Sequence, residues 1–163
     1  MLVLTFQIGT DRLALDIRRV REVVPRVQLD RPAGSPAWLA GMFVYRGRVV
    51  PVVDLHRLLG AGECPPHLSS RIILVPLSRP GNPSDAEILI GLLAAQVADI
   101  RDIQPAGPSA VLPGLNAPGQ PDLGLTLVES GGILHLLDLD RLLPQPVQNL
   151  LQLGGKTSTH TAS

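Results

Sequence analysis

Residues 41–60 read GMFVYRGRVVPVVDLHRLLG. Two β-prone apolar runs, 42–45 and 49–53, flank Arg46-Gly47. Such runs around a Gly-bearing turn predict a hairpin. Asp54 stands where it can cap the leucine-rich turn that follows, and Gly60 where it can stop it. Pro51, with no N–H to give a neighbour, predicts that the second strand is an edge or carries a bulge there.

The pattern returns 84 residues on, where residues 130–143 read SGGILHLLDLDRLL. Gly131 then lies under Gly47, Asp138 under Asp54, and Arg141-Leu142-Leu143 under Arg57-Leu58-Leu59. A weaker echo precedes each copy. Leu13-Ala14-Leu15 recurs as Ile90-Gly91-Leu92, and Val20-Arg21-Glu22-Val23 as Val97-Ala98-Asp99-Ile100, both 77 residues on. Two echoes in one order predict two half-domains of a single design.

Around these anchors the pattern is of short strands. Residues 2–8 alternate, 13–15 begin a second strand, and Arg18 and Arg19 between apolar anchors predict a helical turn over 17–20. Residues 23–29 read as extended, with Pro25 marking an edge. Ser35 can cap a short helix over 36–40, with Pro36 at its first position. Residues 71–77 (RIILVPL), 87–94, 98–104 and 125–128 read as further strands. Residues 105–124 are a long Pro/Gly-rich loop, of which Val111, Leu112 and Leu115 are expected to pack. Residues 145–153 can add a last apolar turn, and 154–163 form a polar tail. No helix of 10–15 residues separates the strands, which favours an all-β chain of two small barrels side by side, with a groove or seam between them, over a βαβ sheet.

Composition narrows the function. Fourteen basic side chains balance fourteen acidic ones, so the chain lacks the footprint of a nucleic-acid binder or a polybasic membrane anchor. A single cysteine, Cys64, allows no disulfide framework and no cysteine metal cluster. The first residues lack the basic start and apolar run of a signal peptide, and the longest apolar run, 88–95, falls short of a bilayer span. A cytoplasmic, cofactor-free protein is expected.

The order FQIG, ALDIRRVREVV, WLAGMFVYRGRVVPVVDLHRLLG, RIILVPL and ILIGLLAAQVADI resembles the CheW-like domain family. The most specific piece is G-x-x-x-x-R-G-x-x-x-P-x-x-D-L from Gly41 to Leu55, and the likeness covers residues 1–143. The resemblance implies two five-stranded SH3-like barrels with short helical turns. The lobes are expected at about 10–70 and 71–143, strand 1–8 possibly shared, and 144–163 lie outside. It implies a non-catalytic adaptor that couples chemoreceptors to a CheA-type histidine kinase, recruited to membrane-bound arrays. One surface would dock the kinase regulatory domain and another the cytoplasmic hairpin tip of the receptor, with weak self-association possible. Carried over by position, the partner-binding candidates are Val20, Glu22, Gly41, Arg46 and Gly47, with Val97 and Asp99 in the second copy. Each also has a plain structural reading: Arg46 as a solvated hairpin arginine, Glu22 as strand alternation, Gly47 as a positive-φ turn residue.

The competing reading is a small-barrel enzyme or ligand-binding domain using Asp54, His56, His135 or Cys64. It requires these side chains to converge. Asp54 and Asp138 read first as helix caps, neither histidine has ligands at metal spacing, and CPPH at 64–67 reads as an exposed loop without an orienting third residue.

Overall fold

The computed structural model describes residues 1–66, 70–77, 88–104, 111–112, 125–129, 132–144 and 147. Among them the chain forms β1 (Leu2–Ile8), β2 (Asp11–Asp16), β3 (Glu22–Pro25), β4 (Leu39–Tyr45), β5 (Arg48–Asp54), β6 (Arg71–Leu77), β7 (Ile88–Ala94), β8 (Ile100–Asp102), β9 (Val111–Leu112), β10 (Leu125–Glu129) and β11 (Gly132–Leu136). The helical pieces are a 3-10 turn at Ile17–Arg19, α1 (Leu55–Leu58) and α2 (Leu139–Leu142). The first sheet runs β8-β1-β2-β11-β10-β9, and the second runs β3-β6-β7-β5-β4. The first has six strands rather than five because Val111–Leu112, the expected packing part of the long loop, pairs with β10. The rest of residues 105–124, and residues 148–163, lie outside the described residues.

The duplication appears in the register. β5 pairs with β7 in parallel, Val52 opposite Gly91, and β11 pairs with β2 in parallel, Leu136 opposite Ala14. The offsets of 84 and 77 residues carry one pair onto the other. Likewise Val23 opposite Ile73 in β3–β6 corresponds to Ile100 opposite Leu4 in β8–β1. Each copy therefore gives its opening hairpin to one sheet and its later strands to the other. The expected cut at residue 70 divides the second sheet between β5 and β6. The observed partition is 22–94 for the second sheet against 2–16 with 100–136 for the first.

This exchange explains the continuous apolar runs. β6 and β7 are covered on both faces, as buried strands with near-unbroken apolar sequence require, and the apolar residues of β1 and β2 are likewise shared between two cores. Leu4, Phe6, Leu13 and Leu15 meet Ile73, Val75, Ile90 and Leu92 in one core joining the two sheets. The opposite faces, with Val3 and Ala14 on one side and Ile72 and Leu74 on the other, fill a private core for each sheet. The space between the lobes is thus filled by apolar side chains where this shared core lies.

The second sheet closes on itself. β3 and β4 are its two edges, yet Asp30, beyond β3, exchanges two backbone hydrogen bonds with Met42 of β4 at 2.8 and 2.7 Å. Pro25 lies on an edge, as expected. Pro51 does not: β5 is interior, between β7 and β4, and the bulge in that pair falls on β4 between Leu39 and Gly41, opposite Val53 and Val52, not at Pro51. Met42, opposite Pro51, spends its N–H and C=O on Asp30, so its hydrogen bonds face away from Pro51. The ladder between β5 and β7 begins only at Val52. Pro51 therefore sits where no N–H is demanded. The expected helix over 36–40 shrinks to one turn, Leu39 N donating to Pro36 O at 3.1 Å, because Leu39 is drawn into pairing with Val53.

Candidate functional site at the barrel seam

Arg46 and Gly47 form the two-residue loop between β4 and β5, with φ of 49° and 78°. Both central residues at positive φ make a type I′ turn, whose twist suits a hairpin. Gly47 adopts this readily. Arg46 does so against a cost of about 1–2 kcal/mol for an L-residue. The turn sets the Arg46 guanidinium 5.2 Å from the centre of the Tyr45 ring and 3.8 Å from the Glu22 carboxylate, while the side chain stays 77 % exposed. Tyr45 donates its hydroxyl to Glu22 Oε2. Tyr45 in turn meets Phe43 edge-on, with ring centroids 6.4 Å apart. Glu22 opens β3 and Tyr45 ends β4, so this bridge spans the seam where the sheet closes.

Nothing in the sequence around Tyr45 marks it as a site residue. Its bond to Glu22 crosses 23 residues, and no local pattern encodes such a contact. On the other face of the hairpin, Val44 and Val49 stand opposite one another, 69 % and 65 % exposed. The second copy presents Ile133, the counterpart of Val49, and Ile100, the counterpart of the exposed Val23. The chain thus offers apolar surface at corresponding points of both lobes.

The other candidates divide. Val20 and Val97, counterparts at the 77-residue offset, both pack half-buried at the margin of the shared core. Asp99 is exposed, and its carbonyl accepts from the N–H and hydroxyl of Thr5 at 3.1 and 3.2 Å. Gly41 is buried with φ of 147°, and a Cβ there would lie 2.6 Å from that of Leu29. Its role is to let the segment around Asp30 approach β4.

Of the residues named for catalysis, Asp54, His56 and Cys64 come together through backbone bonds to the Asp54 carboxylate, and His135 lies apart in the other sheet. Asp54 accepts from the backbone N–H of His56 (2.9 Å), Arg57 (3.3 Å) and Cys64 (3.1 Å), which makes it a cap and a loop brace. Asp138 repeats the cap on Asp140 N. Cys64, expected on an exposed loop, is buried, because the brace from Asp54 draws its backbone inward. Burial pushes its thiol above the ordinary value, the reverse of an activated nucleophile. His135 lies in the first sheet, 3.3 Å from Thr126 Oγ1. Among the described residues no three ligating side chains gather around a metal position, and no helix is long and apolar enough to cross a membrane.

The CheW-like domain model matches residues 2–147. The chain is 30% identical over 98 residues to a probable chemotaxis protein CheW of Rhizobium etli, covering 60% of this chain and 58% of that one. It is 29% identical over 108 residues to chemotaxis protein CheW of Rhizobium meliloti, covering 63% and 64%. A shorter match, 38% over 56 residues, is to chemotaxis protein CheW of Treponema pallidum, covering 34% and 32%. The chain therefore spans less than two thirds of the length of each of these relatives. Its fold is like that of the scaffolding protein TtCheW from Thermoanaerobacter tengcongensis, with a TM-score of 0.67 at 22% identity over 85% of this chain and 84% of that one.

Proposed function

This chain belongs to the CheW-like domain family, and on that premise we propose that it is a non-catalytic adaptor coupling chemoreceptors to a CheA-type histidine kinase. It works by position. Held between receptor tip and kinase regulatory domain, it lets a small receptor change bias the kinase equilibrium. Each contact is weak alone and strengthened by the avidity of an array at the membrane.

The observation that carries this reading is the Glu22–Tyr45–Arg46 bridge. An arginine held at positive φ, largely exposed, on a ring face and beside one carboxylate retains donors for a partner's carboxylate or carbonyl groups. The exposed valines beside it supply apolar contact area.

The test is titration of the folded protein with a CheA regulatory domain and with a receptor hairpin tip. Arg46→Glu and Glu22→Arg should each weaken one of these about tenfold or more. Arg46→Asn, which suits the turn, should keep stability and lose the same binding. The double reversal, Glu22→Arg with Arg46→Glu, restores the internal pair. Binding that stays weak in it assigns Arg46 to the partner contact, and full recovery reduces Arg46 to a brace. Well-folded wild type that binds neither partner overturns the adaptor reading.

A further inference from the structure

Below the seam lies a cleft of about 570 Å³ that the Glu22–Arg46 bridge does not use. Its polar walls carry three guanidiniums, Arg26, Arg31 and Arg57, and two carboxylates, Asp54 and Glu63. Its apolar walls include Leu29, Leu39, Ala40 and Leu93. The volume falls in the range of small-molecule sites.

The arginines are placed unequally. Arg57 lies 3.3 Å from Glu63 and 3.9 Å from Asp54. Among the described residues Arg26 donates only through Nη1, to the carbonyls of Cys64 and Pro65 at 3.3 and 3.1 Å. Arg31 donates through Nε to Leu39 O at 3.0 Å and through Nη2 to Ser35 O and Pro36 O at 3.3 and 3.2 Å. Carbonyl oxygens orient a guanidinium without neutralising it. Among the described residues Arg26 and Arg31 have no carboxylate, and Nε and Nη2 of Arg26 and Nη1 of Arg31 have no protein acceptor. Asp54 is already occupied by three backbone N–H groups. The cleft is left with an excess of one positive charge, with its forks fixed and donors to spare.

We propose that this cleft binds a small amphiphilic carboxylate, its head between Arg26 and Arg31 and its apolar body against Leu29, Leu39 and Ala40. A monoanion balances the surplus charge, whereas a phosphate monoester, near two negative charges at neutral pH, would overshoot it. A planar carboxylate also matches the guanidinium fork. The site is separate from the adaptor reading and stands or falls without it.

The experiment is titration of the full chain with hexanoate and, as the neutral control of similar shape, hexanol, followed by amide resonances and calorimetry. Hexanoate should bind about tenfold or more tightly than hexanol, as charge-assisted hydrogen bonds predict. Its shifts should fall on residues 26–31, 39–40 and 57–63. Arg31→Gln should weaken hexanoate about tenfold. Glu63→Gln, which removes an exposed competitor for Arg57 and leaves the chain's braces intact, should tighten it about threefold. Hexanoate no tighter than hexanol, shifts centred elsewhere, or affinity unmoved by both variants would each overturn the proposal.

Discussion

His56 carries a buried Nε2 with no hydrogen-bond partner among the described residues. Burial holds its imidazole below the ordinary value; the nearby Asp54 carboxylate opposes this and Arg26 adds to it. As pH falls, the unfolded chain takes up the proton first. The stability associated with neutral His56 is complete above about pH 6.5 and declines as pH drops from there toward the depressed folded value. The urea midpoint should therefore fall between about pH 7 and pH 5, and His56→Leu should flatten that part of the profile. An unchanged profile in the variant would assign the loss to other groups. At this scale the sequence was partly readable. Asp54 as a cap follows from its place before a leucine-rich turn. Its third bond, to Cys64 N, reaches ten residues on, past α1, and so the burial of Cys64 was hidden behind two prolines that suggested exposure.

At the scale of elements, closure of the second sheet rests on one glycine. A methyl group on Gly41 would press on Leu29 Cβ at 2.6 Å and Asp30 O at 3.0 Å, at a φ that side chains rarely adopt. Gly41→Ala should therefore destabilise the fold by about 2–4 kcal/mol in denaturant melts. Any loss of partner binding should follow the unfolded fraction and vanish where the protein is fully folded. An alanine variant of wild-type stability but weakened binding would return Gly41 to the interface. Strands and hairpins were legible because alternation and the Arg-Gly turn are local. Neighbour choice was not. Pro51 suggested an edge because a missing N–H is visible in sequence, whereas the identity of the residue that would have needed it, here engaged by Asp30, is not.

For the whole molecule, the echoes disclosed two copies but not that they trade strands. The parallel pairs β5–β7 and β11–β2 each take one strand from each copy. A fragment of residues 1–66 lacks β6 and β7, and one of residues 67–163 lacks β1 to β5, so neither holds a complete sheet. Each should be unfolded alone by circular dichroism, and mixing them should recover the spectrum and a cooperative melt. A fragment that folds alone would refute the exchange as an energetic fact. The cut first expected at residue 70 assumed that copies and lobes coincide, which alignment of a chain with itself cannot decide. The same exchange also sets an order in time. During synthesis every strand of the second sheet has left the ribosome once residue 94 emerges, while β2 waits for β11 at 132–136. Until then the β1–β2 hairpin can add β8 along the β1 edge and lay its apolar face on the second sheet, where Leu4, Phe6, Leu13 and Leu15 already have their partners. On this order of emergence the junction between lobes would hold the β1–β2 hairpin of the growing chain until β11 arrives.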